Sequence, residues 1–140
     1  MTQQITFVDV RRVRGLEQTL GKIQGAELDL SGIDGYVIPS KIPSVVIAIH
    51  ACNVLTDKVL EKAVQARVPV AVMPCCYNDH MKKYQLQHPP DPRLLLYARS
   101  EEYYDAVRLQ FLREQNFTTE LLKIDQRITP MNNVIIGIPL

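Results

Sequence analysis

Residues 44–57 read Ser44-Val45-Val46-Ile47-Ala48-Ile49-His50-Ala51-Cys52-Asn53-Val54-Leu55-Thr56-Asp57, and residues 68–77 read Val68-Pro69-Val70-Ala71-Val72-Met73-Pro74-Cys75-Cys76-Tyr77. The uncharged, mostly β-branched run 45–49 suits a strand buried on both faces of a parallel sheet. Residues 68–73 form a second such run, ended by Pro74. Between them Leu60, Ala63 and Val64 recur at helical spacing, with Thr56 or Asp57 available as the helix cap. This pattern predicts a βαβ unit whose two strands lie side by side across a right-handed connection. Polar residues gather just past the carboxyl ends of the strands: His50, Cys52 and Asn53 after the first, and Cys75, Cys76, Tyr77 and Asn78 after the second. Open α/β sheets bind ligands at that edge, so the site is expected there.

Upstream, residues 5–10 read as a strand with Asp9 near its carboxyl end, and residues 11–20 as a modest helix stopped by Gly21. Residues 26–30 alternate apolar and acidic as a short strand does, with Asp29 near its end. The Gly- and Pro-bearing segment 31–43 is mostly loop, with a brief strand or edge at 36–38. Downstream, residues 78–92 carry His80, Lys82, Lys83 and His88 in an irregular stretch. Residues 101–115 form a helix with a broad apolar side. Residues 118–124 and 133–138 then close the domain as an antiparallel pair, because the connection between them is short. The order predicts a single α/β domain over residues 1–140, a three-layer α/β/α sheet ending in that antiparallel pair.

A chain of 140 residues suffices for one domain with a real core. With 46% hydrophobic and 22% charged residues and a formal net charge of +1, it offers no electrostatic case for nucleic acid or an acidic membrane surface. No apolar stretch is long enough to span a bilayer, and residues 1–9 lack the pattern of a signal peptide. Three cysteines, two of them adjacent, make a poor disulfide framework, which places the expectation in a reducing cytoplasm.

The motif formed by His50, Cys52, Thr56 and Asp57, followed by Pro74, Cys75, Cys76 and Tyr77, resembles one branch of the class I S-adenosylmethionine-dependent methyltransferases. That branch includes a tRNA 2′-O-methyltransferase and the methyltransferase module of the glutathione-transferase-C-terminal-domain-containing proteins. Asn53 stands where the branch usually has glycine. The resemblance implies a Rossmann-like sheet, with S-adenosylmethionine held by Asp9 at the ribose and Asp29 at the adenine. Ile49, His50 and Ala51 would line the edge where the methyl group is transferred. The family's first βα unit with its Gly-rich turn has no counterpart ahead of Asp9, so the expectation is the carboxyl-terminal part of the fold.

His50 is the candidate catalytic residue, since an imidazole at the methyl-transfer edge can position or deprotonate an acceptor hydroxyl. Asn53, Tyr77 and Asn78 are the candidate substrate-binding residues. The resemblance brings in RNA as an acceptor class that charge does not support. Cys52, Cys75 and Cys76 read as small packing residues or, alternatively, as zinc ligands together with His50, His80 and His88. Zinc is disfavoured because adjacent cysteines rarely share one ion and no Cys-x-x-Cys pair is present. A rival to the enzyme is a non-catalytic domain, in which the incomplete sheet pairs with a partner chain or a second copy of itself.

Overall fold

The computed structural model describes residues 5–8, 18, 22–29, 31–77 and 100–140. The chain divides into two compact units, Met1–Ile38 and Pro39–Leu140. In the first unit, strands β1 (Ile5–Val8) and β2 (Ala26–Asp29) pair in parallel, from Ile5 opposite Ala26 to Val8 opposite Asp29. Gly25, at φ 78°, turns the chain into β2 with a backbone that a side chain would strain. At the far end of β2, Asp29 Oδ1 accepts from the Ser31 amide (2.7 Å) and hydroxyl (2.5 Å), a local turn that leads into the single-turn helix α1 (Gly32–Gly35). The brief strand expected at 36–38 is absent. The Tyr36 amide instead bonds back to the Gly32 carbonyl, and the chain runs on as irregular backbone. The expected helix 11–20 lies, apart from helical Gln18, outside the described residues, as does the stretch 78–92.

The second unit holds a four-stranded sheet with spatial order β3-β4-β6-β5. Strands β3 (Val46–Ala51) and β4 (Val70–Pro74) are parallel neighbours joined through helix α2 (Val54–Ala66), which is the βαβ unit read from the sequence. Helix α3 (Ser100–Glu114) precedes β5 (Phe117–Lys123), and β6 (Asn133–Pro139) inserts antiparallel between β4 and β5. Helix α2 lies on β3 and β4, α3 lies on β5 and β6, and the two helices touch each other, so they share one face of the sheet. Leu60, Ala63, Val70, Val72, Leu112, Phe117 and Ile135 bury themselves between helices and sheet. Full burial of a large apolar side chain contributes about 1.5–3 kcal/mol, so this layer dominates the unit's stability.

Because both helices share a face, β3 is not buried on both sides as the sequence suggested. Val45, Ile47 and Ile49 are 59%, 67% and 68% exposed. The expected helix caps also differ. Helix α2 starts at Val54 with Asn53 as its N-cap residue, so Thr56 and Asp57 already lie in its first turn. Thr56 turns its hydroxyl inward to the Ala51 carbonyl (2.6 Å), and Asp57 pairs with Arg108 of α3. At its other end, α2 stops at Arg67 in the left-handed conformation. The Arg67 guanidinium then donates to the carbonyls of Gln115 (2.8 Å) and Leu140 (2.9 Å) and lies over the Phe117 ring.

Candidate functional site

The carboxyl ends of β3 and β4 bring together most of the residues singled out from the sequence. The register slips between Ile49, opposite Met73, and Ala51, opposite Pro74, so His50 is the extra residue of a β-bulge with φ 56°. A bulge re-aims a side chain without ending the strand. It leaves His50 exposed beside exposed Ile49, while Ala51 is 2% exposed with its carbonyl held by Thr56. Asn53 follows at φ 51°, ψ −127°, a backbone conformation natural to glycine. Its amide donates to the Cys76 carbonyl (3.2 Å), tying the two strand-end loops together, and its Oδ1 is buried without a hydrogen-bond partner among the described residues.

The three cysteines converge. Cys52 Sγ lies 2.7 Å from Cys75 Sγ and 3.3 Å from Cys76 Sγ, and the Cys75 and Cys76 sulfurs are 3.6 Å apart. Only Cys75 is buried, whereas Cys52 and Cys76 are exposed, so the packing reading applies to one of the three. Burial, then the bonds to Cys52 and Cys76, push the Cys75 thiol up to about 12. His50 does not join this cluster, and His80 and His88 lie outside the described residues.

Tyr77 belongs to a buried polar network that the sequence reading missed. Its hydroxyl donates to Asp105 (2.9 and 3.0 Å), which also accepts from Asn133 Nδ2 (2.8 Å) and Arg108 Nη1 (3.4 Å). Arg108 in turn makes a two-bond fork to Asp57 (2.9 and 3.1 Å) and reaches the Asn53 carbonyl (3.2 Å). Asp105 and Arg108 are 1% and 2% exposed. Burial raises the Asp105 carboxyl, although Asn133, Tyr77 and Arg108 all donate to it or oppose the shift. Burial also works against the Arg108 charge, but the bonds and charge of Asp57 outweigh it and the guanidinium stays firmly protonated. Burial, and then the charge of Asp105, push the Tyr77 phenol upward. The signal was present in the 101–115 segment, where Asp105 and Arg108 stand three apart on the side of the helix that carries Leu112. A small cleft lined by Pro74, Tyr77, Glu101 and residues 130–133 opens beside this network.

In the first unit, Asp29 sits at the carboxyl end of β2, where the sequence placed it. Both of its bonds to Ser31 fall on Oδ1, and they hold the carboxyl below its ordinary value. Asp9 and Asn78 lie outside the described residues.

The family model described as a methyltransferase domain matches residues 4–83, the span from before β1 to beyond the cysteine cluster. Among curated relatives, a glutathione S-transferase C-terminal domain-containing protein of Mus musculus is 26% identical over 124 residues, covering 67% of this chain and 19% of its own length. The Bos taurus protein of that description is 25% identical over the same share of this chain and 20% of its own length. The Xenopus laevis protein is 47% identical over 32 residues, 23% of this chain and 5% of its own length. The chain thus spans about a fifth of the mouse and bovine relatives. No solved structure matches. No described helix is long and apolar enough to cross a membrane.

Proposed function

Because the chain belongs to a methyltransferase-domain family, we propose that it forms the S-adenosylmethionine-binding and methyl-transfer portion of a Rossmann-like, three-layer α/β/α enzyme. The family match over residues 4–83 carries this reading. Each unit supports it separately, because each turns its polar groups to the carboxyl ends of its parallel strands. The chemistry present fits the cofactor. Asp29 is an ionised acceptor of the kind that adenine or ribose donors need, and Asp9 is assigned the ribose by the resemblance. In the second unit, bulged His50 and exposed Ile49 form the transfer edge, and Ala51 contributes backbone only, since its methyl is buried.

The cofactor supplies an electrophilic methyl group on a sulfonium. His50 would accept the proton that an acceptor oxygen or nitrogen gives up as it takes the methyl group. Positioning and exclusion of water supply most of the rate. Asn53 and Asn78 are assigned to the acceptor. Tyr77, its hydroxyl held by Asp105, is assigned to the acceptor with them and lines the small cleft beside the polar network. RNA is one acceptor class to test, and the cytosol is the assigned compartment.

Calorimetric titration of the full chain with S-adenosylhomocysteine tests this function. Saturable binding is expected, weakened roughly tenfold or more by Asp29→Asn, since a hydrogen bond to a charged group is worth about 1.5–3 kcal/mol. A flat titration of the folded chain overturns the stand-alone binding site. The exposed row of Val45, Ile47 and Ile49 favours a second reading, in which this sheet face pairs with another chain. Sedimentation of wild type and of Ile47→Lys/Ile49→Lys distinguishes the two. Self-association abolished by the double substitution supports the pairing face, whereas monomers in both samples remove self-pairing.

A further inference from the structure

The cysteine cluster is built from two loops that the fold brings together. Cys52 lies between β3 and α2, and Cys75 and Cys76 directly follow β4. Parallel pairing of the two strands and the Asn53–Cys76 backbone bond set the loops side by side. Along an extended strand, adjacent side chains point to opposite faces, which is why neighbouring cysteines seldom share a partner. Here β4 ends at Pro74, and the chain beyond it is no longer extended in the sheet, so both sulfurs turn toward Cys52. All three Sγ atoms fall within 4.8 Å of one another.

We propose that Cys52, Cys75 and Cys76 form a three-thiolate site for one thiophilic divalent metal ion of the zinc type, with its fourth position open to solvent. Zinc–sulfur bonds of about 2.3 Å in tetrahedral geometry place bound sulfurs about 3.8 Å apart. The Cys75–Cys76 separation of 3.6 Å already matches that edge. The sides of 2.7 and 3.3 Å, both to Cys52, reach it by a small outward rotation of that exposed side chain. Thiolate ligands select zinc over the harder magnesium and calcium ions. Three thiolates and a dication leave one net negative charge beside the amino-terminal end of the 13-residue helix α2, the end that favours anions. Exposed Cys52 and Cys76 leave the ion a path of entry, and buried Cys75 gives the site a fixed floor. Bound there, the ion clips the β3–α2 loop to the end of β4, immediately beside His50. This site does not depend on cofactor binding.

The test is anaerobic titration of the full, reduced chain with cobalt(II), followed by displacement with zinc. Saturation at one equivalent is expected, with tetrahedral ligand-field bands and thiolate-to-cobalt charge transfer of an intensity appropriate to three thiolates. Zinc should bleach the spectrum, and Cys52→Ser and Cys76→Ser should each reduce the charge-transfer intensity by about a third and weaken binding at least tenfold. Both residues are exposed, so the variants should fold, and circular dichroism checks this. Absence of saturable charge transfer in the folded wild type, or a spectrum and affinity unchanged in Cys52→Ser, overturns the proposal. S-adenosylhomocysteine titration of the metal-free chain keeps the two assignments apart, since each can fail while the other stands.

Discussion

Asn53 combines a backbone conformation suited to glycine with a buried amide oxygen that has no partner among the described residues. Both features cost stability, and glycine would hold the same backbone bonds to Cys76, Thr56 and Arg108 without either cost. Asn53→Gly should therefore stabilise the protein by about 1 kcal/mol, read as a higher urea midpoint at unchanged slope, whereas Asn53→Ala should not. If the amide serves an acceptor, the glycine variant gains stability and loses turnover, the trade expected of strain kept at a working site. Asp105 gives a second residue-scale test. Asp105→Asn keeps the shape but sets a donor against Asn133 and removes one of the two carboxylates paired with buried Arg108. A loss of about 1–3 kcal/mol in urea unfolding is expected. The pH dependence has a definite sign. Burial raises the Asp105 carboxyl above its ordinary 3.8, so between that pH and the raised folded value the folded chain binds the extra proton. Asp105 thus makes stability fall as pH rises through that window and level off above it, a component that Asp105→Asn should lack.

At the scale of elements, β6 is as tightly constrained as any strand in the second unit. A methyl group added at Gly137 would meet Leu112 Cδ1 at 3.0 Å, Val70 Cγ1 at 3.1 Å and Phe117 Cδ1 at 3.3 Å. These atoms come from α3, β4 and β5 in turn, so the helix cannot retreat without uncovering both neighbouring strands. Gly137→Ala should cost about 1–3 kcal/mol, as overpacking of a filled core does, and thermal unfolding would show it. The elements themselves were largely legible in the sequence. Apolar runs and helical or alternating periods located β3, β4, α3, β5 and β6 to within two residues, whereas the expected start of α2 fell three or four residues late. What stayed hidden was the exposure of Ile47 and Ile49, because a short apolar run looks the same whether one face is covered or two. The convergence of Cys75 and Cys76 on Cys52 was hidden for a related reason, since it depends on where the strand stops and not on which residues follow it. The Tyr77–Asp105–Arg108–Asp57 network joins three segments far apart in the chain, so the spacing of Asp105 and Arg108 on one helix face did not name Tyr77 and Asp57 as their partners.

For the whole molecule, the two motifs at residues 50–57 and 74–77 predicted the family that the comparison found, and both lie in the span matched by the family model. The spatial order β3-β4-β6-β5 has a consequence for how the second unit is made. Synthesis delivers β5 before β6, yet among the described residues β5 has no sheet neighbour except β6, which also supplies the second neighbour of β4. As the chain leaves the ribosome, β4 and β5 therefore wait with bare hydrogen-bonding edges until residues 133–139 emerge and slot between them. The sheet cannot grow strand by strand from one side, and its closing step joins Val70 to Gly137 across most of the unit's length. Such late, non-local pairing folds slowly and leaves the nascent chain open to unwanted partners, so a pause in translation just before residue 133 would expose this protein to aggregation more than a pause at any earlier strand boundary in the unit.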